Sequence, residues 1–418
     1  MPEQKKSHPK YLKMLAKEGK KGNNKLRILQ YIFDNQKTSV SKICESLDLS
    51  APTTLNLLSE LTNAGWIEKK GAGKSVSGRR PDLIGLVSKS LFVLCIDLEL
   101  STLRMGIFDN TLEMQTEIYN CPFSLSINRE NMDILFQNVT DFLKSKGISL
   151  NQLAGISMTM PGLINSETGE NFSYLVSNNN DDESMAAYCS KVFGVPVTIQ
   201  NDVKAAALAE LRCGKASGKQ NALIILMDWG LGLGIVMDGK VRRGASGFSG
   251  EIGHIPFEDN GELCYCGKHG CLETVASGNA LSKMAKAGIA SGQNSILNEL
   301  SNREINKIET SLIINAANKG DLYAIQLLSK IGTNIGKGIS TLIQIFNPEV
   351  IVLEGRIAAA KQYITIPMLQ SINTYCMTQI REKTQITSSD LGETANLMGG
   401  AIENIDRMFQ ILLESRGK

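Results

Sequence analysis

Residues 250–273 read Gly-Glu-Ile-Gly-His-Ile-Pro-Phe-Glu-Asp-Asn-Gly-Glu-Leu-Cys-Tyr-Cys-Gly-Lys-His-Gly-Cys-Leu-Glu. Three of the chain's nine cysteines fall within eight residues here, and two of its three histidines, His254 and His269, flank or interrupt them. Zn²⁺ takes four nitrogen or sulfur ligands in a tetrahedron, and thiolates so close on a glycine-rich loop can converge on one ion without strain. Cys264, Cys266 and Cys271 with His254 would close the shell and leave no position for water. That describes a structural zinc site rather than a catalytic one. His269 is a competing fourth ligand that spacing alone does not exclude. Cys44, Cys95, Cys121, Cys189, Cys213 and Cys376 are scattered and read as small core residues.

Around this loop the chain runs to 418 residues and 45.5 kDa, a length for two or three domains. Its 42% hydrophobic and 21% charged residues are those of a globular protein and exclude a largely disordered one. The most apolar stretch, 221–237, contains Asp228 and several glycines, so no membrane span is expected. The lysine-rich start has no apolar run behind it and does not read as a secretory signal. An odd cysteine count, with three bunched, fits a reduced cytoplasmic protein better than a disulfide scaffold. Net charge is only +2, but it is unevenly spread. Residues 1–90 hold 17 of the 44 Lys/Arg and 8 of the 42 Asp/Glu, leaving 27 and 34 for the rest. A basic module on an acidic body points to a polyanionic partner for the first part.

The pattern inside that module agrees. Leu26, Ile28, Leu29, Ile32 and Phe33 have helical spacing over 25–35. Thr38-Ser39 offers an N-cap before a second helix with Val40, Ile43 and Leu47. Ser50 caps a third, with Pro52 in its first turn and Leu55, Leu58 and Leu61 as the expected buried face. Residues 66–70 and 82–87 read as a two-stranded hairpin with a basic tip at 71–78. Three short helices and a hairpin make a winged helix-turn-helix over 25–88. The third helix of such a module enters the major groove, which places Thr53, Thr54 and Asn56 for base or phosphate contact, and Arg79 and Arg80 on the wing for a minor groove or phosphates. Residues 1–24 read as a basic arm or a helix, with Tyr11, Leu12 and Leu15 suitably spaced. Winged helices also serve as protein-interaction modules; the charge favours DNA.

From Leu91 onward strand-like and helix-like runs alternate, the mark of an α/β fold. An apolar run into Asp97 and another into Asp109 are echoed by a run into Asp228, a glycine-rich turn and residues 234–239. The echo hints at a duplicated lobe. Here the residues carry a resemblance. Gly250-Glu-Ile-Gly-His254, then Cys264-x-Cys266-Gly-x-x-Gly-Cys271-Leu-Glu273, Asn201-Asp202 before an Ala-rich helix, and Met160-Pro-Gly162 resemble the ROK (repressor, ORF, kinase) family, on the side of its sugar-responsive xylose or N-acetylglucosamine repressors. The resemblance spans about residues 25–415. It implies a duplicated, RNase H-like, actin-like sugar-kinase body: a first lobe over 90–200 completed by a C-terminal helix in 392–418, and a second over 201–391 bearing the zinc loop. Leu397, Ile402, Ile405, Phe409 and Leu412 give that helix an apolar face. It also implies a sugar pocket at the lobe interface, with Asn201, Asp202, Glu251, His254 and Glu273 bonding hydroxyls and Gly162 allowing close backbone approach.

Three readings follow. In kinases of the family Asp202 would be the general base, and this sequence keeps it, so an ATP-dependent sugar kinase remains an alternative. Phosphoryl transfer, however, needs a cradle of backbone N–H groups. Where kinases resemble Asp-x-Gly-Gly-Thr, this chain has Asp97-Leu-Glu-Leu-Ser101, and Glu99 is expected to repel a triphosphate. Asp228-Trp-Gly230 replaces Gly-Thr-Gly, and Leu353-Glu-Gly-Arg356 replaces a run of glycines. The leading reading is therefore a non-catalytic, sugar- or sugar-phosphate-responsive transcriptional regulator, a homodimer or dimer of dimers on a palindromic operator, cytoplasmic and nucleoid-associated. The third is a module whose zinc loop engages a transport or signalling protein.

Overall fold

A computed structural model describes residues 8–73, 80–125, 129–173 and 183–414. The chain divides into two compact units, one of residues 1–205 with 396–418 and one of residues 206–395.

The first unit opens with the basic module: α1 (His8–Leu15), α2 (Gly19–Asn35), β1 (Lys37–Ser39), α3 (Val40–Leu47), α4 (Ala51–Asn63), β2 (Ile67–Ala72) and β3 (Asp82–Leu86). Ser39 and Ser50 cap α3 and α4 through the backbone N–H groups of Lys42 and Thr53, as the sequence predicts. Three details differ. Helix α2 starts at Gly19 rather than Lys25; ahead of it α1 is the helical alternative that the spacing of Tyr11, Leu12 and Leu15 offered, with Leu12 and Leu15 buried and Tyr11 stacked on Trp66. The sheet has three strands, β1-β3-β2, because the residues just before the α3 cap pair with β3. Helix α4 turns inward Thr54, Leu57, Leu58 and Leu61, an i, i+3, i+4, i+7 stripe that leaves Leu55 55% exposed. The leucine expected in the core is thus outside, and its neighbour Thr54 is inside. Lys25 joins these helices: its ammonium lies 3.0 Å from both Glu18 and Glu60, and Lys21 also reaches Glu60 at 2.6 Å.

The rest of the first unit is built on β4 (Phe92–Leu98), β5 (Thr102–Asp109), β6 (Tyr119–Pro122), β7 (Leu153–Met160) and β10 (Val197–Asn201) in the order β10-β7-β4-β5-β6, beside a small β8 (Ile164–Asn165) and β9 (Glu170–Asn171) ribbon. Leu94, Ile96, Ile156 and Met158 pack with Leu135, Val139 and Phe142 of α5 (Arg129–Ser145) and with Cys189 and Phe193 of α6 (Met185–Phe193). Strand residues of opposite parity meet the C-terminal helix (Ala395–Glu414). There Asn404 donates to the Ile156 carbonyl and the Thr198 hydroxyl, and a Cβ at Gly400 would come within 2.7 Å of Ser157 Oγ. Leu397, Ile402, Ile405 and Phe409 are buried along it, and Leu412 is half-buried. A side chain at Gly399 would overlap the Ala205 carbonyl of α7 (Asp202–Cys213), and Phe409 packs against Phe33 of α2 at 6.3 Å.

The winged module and this body are joined at Val87–Leu91, and Asn110 secures the joint. Its buried amide donates to the Val87 carbonyl and accepts from the backbone N–H groups of Ser90 and Leu91. Asp109 accepts from the N–H of Lys89, a residue held at φ +59°.

The second unit repeats the plan. β11 (Ala222–Met227), β12 (Leu231–Met237), β13 (Lys240–Arg242), β14 (Val350–Glu354) and β15 (Gln385–Ser388) lie in the order β13-β12-β11-β14-β15. Read from the other edge, that is the strand sequence of the first sheet, with an antiparallel hairpin first and parallel strands after it in both. Leu272 and Ala276 of the segment around α8 (Glu273–Ala276), Leu281 of α9 (Gly278–Ala290) and a 25-residue helix, Leu322–Phe346, fill its core. Among the described residues no helix is long and apolar enough to cross a membrane.

Replacing Asn110 by alanine strands two buried N–H donors at the joint and should cost about 2–4 kcal/mol. Urea denaturation of the variant against exposed Asn63→Ala, expected within about 0.5 kcal/mol of the parent, checks this.

Candidate functional site

In the second unit, His254, Cys264, Cys266 and Cys271 each bring one donor atom to within 4.8 Å of the others. Glycine-rich turns allow it: Gly267 and Gly270 both have positive φ, and a Cβ on Gly270 would overlap the Glu258 carbonyl. Cys264 Sγ lies 3.5 Å from His254 Nδ1 and Cys266 Sγ 3.6 Å from Cys271 Sγ. Tetrahedral zinc at ordinary Zn–S distances needs sulfur atoms about 3.8 Å apart, so the donors fit such an ion with only small adjustment. The histidine left open by the sequence is decided by geometry. His269 turns its Nδ1 to the Gly261 carbonyl, while His254 faces the thiols and uses Nε2 with the Tyr265 hydroxyl at 2.9 Å. Burial pushes the Cys271 thiol up to about 12 and Cys264 upward, and burial with nearby Lys268 lowers His254. A cation among these donors would reverse the preference of the thiols for their protonated form. Tyr265 has no cysteine-like signature and sequence reasoning missed it.

Glu273, two residues beyond Cys271, is buried and accepts from the Leu231 N–H at 3.1 Å. Its carboxylate fills a crevice that glycines leave open, since a Cβ at Gly230 or Gly253 would come within 2.8 or 3.0 Å of it. Burial raises its pKa to about 7, the Leu231 N–H opposes, and Glu251 adds to the rise. Glu251 precedes the short turn Ile252–His254 that aims the histidine.

In the first unit, Asn201 ends β10 and Asp202 begins α7. Asn201 donates to the Gly162 carbonyl at 3.0 Å and accepts from the Lys204 N–H at 3.3 Å, which ties the Met160-Pro-Gly162 turn to the helix start. Gly162 sits at φ +97°, where a side chain would be strained. Asp202 accepts from the Val203 N–H. The six residues expected to meet sugar thus fall into two groups, Gly162, Asn201 and Asp202 on one unit and Glu251, His254 and Glu273 on the other.

The charges in the turns expected to face phosphates are not bare. Glu99 is no isolated charge: Arg104 reaches it at 2.8 Å and Asp97 at 2.5 Å, and Asp97 also accepts from Thr159 and Asn396. The Glu99 N–H is spent on the Thr102 carbonyl. In the second unit Asp228 is paired with Arg356 at 2.5 Å, and its N–H bonds the Gly230 carbonyl. The charge of Asp228, like that of Glu99, is therefore paired with an arginine, and one backbone N–H of each turn is already bonded.

On the DNA-facing candidates, Thr53 and Asn56 are exposed on α4 and Arg80 is exposed before β3. Thr54 is a correction: it is fully buried and its hydroxyl accepts from Cys44, so it cannot touch a duplex. Arg79 lies outside the described residues.

The ROK family profile matches residues 93–405, and a winged helix-turn-helix DNA-binding profile matches residues 23–68. The xylose repressor of Caldicellulosiruptor bescii is 31% identical over 79% of this chain and 82% of its own length. The DNA-binding transcriptional dual regulator NagC of Escherichia coli is 26% identical over 89% and 90%. A solved ROK family transcriptional regulator, a homolog of the E. coli MLC protein, aligns at TM-score 0.75 and 28% identity over 94% of this chain and 98% of its own.

Arg104→Ala leaves Asp97, with 2% of its side chain exposed, and Glu99 without their cation, and should destabilise the protein by about 3–5 kcal/mol. Chemical denaturation beside Arg242→Ala, which breaks an exposed pair and should cost under about 1 kcal/mol, provides the check.

Proposed function

The chain belongs to the ROK family, and we infer that it is a sugar-responsive, DNA-binding transcriptional repressor. The observation that carries this reading is the winged module, basic and packed into one compact unit with the body that begins at Phe92. A lysine-rich surface supplies salt-dependent phosphate affinity, and α4 supplies the major-groove reader. Thr53 and Asn56 contact bases or phosphates, and Arg80, with Arg79, clamps the backbone beside the wing. The protein acts in the cytoplasm, as a dimer or dimer of dimers whose recognition helices match half-sites about 34–36 Å apart.

The effector is a sugar or sugar phosphate, and the residues proposed to contact it are Gly162, Asn201, Asp202, Glu251, His254 and Glu273. It controls the operator only through its different affinity for the binding and non-binding forms. The sugar is sensed rather than phosphorylated; the pairing of Arg104 with Asp97 and Glu99, and of Arg356 with Asp228, supports this. His254, Cys264, Cys266 and Cys271 hold a structural Zn²⁺, which cross-links the loop between Glu251 and Glu273; Tyr265 orients the His254 ring.

Operator affinity, followed by fluorescence anisotropy over a salt series, should fall steeply with salt. Arg80→Ala should weaken it and flatten the log–log slope by about 1. D-xylose or N-acetyl-D-glucosamine should shift the affinity of the parent; salt-insensitive binding that ignores Arg80 would overturn the wing assignment. Elemental analysis should find one zinc per chain in the purified protein and none in Cys271→Ser, whose melting temperature should fall to that of the chelator-treated parent. Equal metal content in both would overturn the zinc assignment.

A further inference from the structure

The outward face of α4 is unusual for a surface that must read DNA. The inward stripe Thr54, Leu57, Leu58 and Leu61 leaves Ala51, Leu55 and Ser59 in one outward row and Pro52 and Asn56 in the next. Leu55 is 55% exposed in the middle of that face. Between Lys42 and Lys69 the sequence has neither lysine nor arginine, so α4 carries no cationic fork at all. Its only outward carboxylate, Glu60, is taken by Lys21 and Lys25, and its Oε1 also accepts from the Asn56 amide at 3.3 Å. Cations stand on neighbouring elements instead: Lys20, Lys37 and Lys42 are exposed, as are Lys21, Lys69 and Lys70, which pair at the surface with Glu60, Asp82 and Glu68.

This division has a chemical consequence. Guanine is recognised in the major groove chiefly by arginine or lysine on O6 and N7, adenine by asparagine or glutamine on N6 and N7, and thymine by apolar contact with its C5-methyl group. Helix α4 offers the second and third and lacks the first. Resting on the repressor reading above, we propose that Leu55 is a specificity-determining residue that packs on thymine C5-methyl groups, so that α4 selects A·T pairs while the surrounding lysines hold phosphates. The complementary charge of the module names the occupant of this apolar spot as duplex DNA: a row of exposed lysines surrounds it, and an apolar protein partner has no use for them.

The test uses the full chain. Duplexes are selected from a random pool, and affinity for the selected duplex is measured as each thymine in turn is replaced by deoxyuridine, which removes the methyl group and nothing else. The parent should lose about three- to five-fold at one or two positions per half-site, the worth of one buried methyl. Leu55→Ala should bind the unmodified duplex more weakly by a similar factor and be indifferent to deoxyuridine at those positions. Leu55→Gln should behave likewise, and both variants should melt with the parent, since the side chain is exposed. Replacing guanines by 7-deazaguanine should leave parent binding unchanged. Binding by the parent that ignores deoxyuridine, or a Leu55→Ala protein that stays sensitive to it, overturns the proposal and leaves DNA binding intact. A pool from which nothing is enriched overturns the repressor reading itself.

Discussion

Arg104 lies between Asp97 and Glu99 on the first hairpin of the body, with only 13% of its own side chain exposed. Three ionised groups taken this far out of water are tolerable together, because removing the arginine leaves two desolvated carboxylates without its charge. Thr159 and Asn396 bond the same Asp97, so the cluster ties β4 and β5 to β7 and to the C-terminal helix. At the turn after β4 the Glu99 carboxylate pairs with Arg104 and its N–H bonds the Thr102 carbonyl. In the second unit Asp228 and Arg356 do the same across a turn and the loop after β14. These two pairings, made by different residues, are what the proposal of a sensor rather than a kinase rests on.

The C-terminal helix gives the first unit its continuity. Gly399 and Gly400 let it lie against the Ala205 carbonyl and Ser157, three residues beyond Asp202, and Phe409 further along meets Phe33 of the winged module. Asn110 fastens the connecting strand ends beside that contact, around a small apolar cavity lined by Leu29, Phe33, Trp66, Leu86, Ile405 and Phe409. One helix thus touches both the start of α7 and the DNA-binding module, and a packed joint transmits displacement better than a flexible tether.

Much of this was legible from residue order, and the exceptions have physical causes. Short-range chemistry could be read: Ser39 and Ser50 as caps and the glycine-spaced cysteines as one cluster, while the doubled apolar run hinted at a duplicated lobe but not at its strand order. Thr54 and Leu55 were misplaced because a helix buries a stripe set by its partners, and a one-residue rotation exchanges two adjacent side chains. β1 is only three residues long, too short for a period to show. The charges were misjudged for a different reason. Arg356 meets Asp228 from 128 residues away, and Arg104 meets two carboxylates across a hairpin, so neither pairing leaves a local signature. Likewise only the folded loop distinguishes His254 from His269.

The claim on which the account stands is that this body senses a carbohydrate and does not phosphorylate it. Coupled ADP release with magnesium and ATP, run across a panel of pentoses, hexoses and N-acetylhexosamines, measures that most directly. The account predicts a rate equal to the sugar-free background for the parent and for Asp202→Asn alike. Sugar-dependent ADP release that disappears in Asp202→Asn would contradict it.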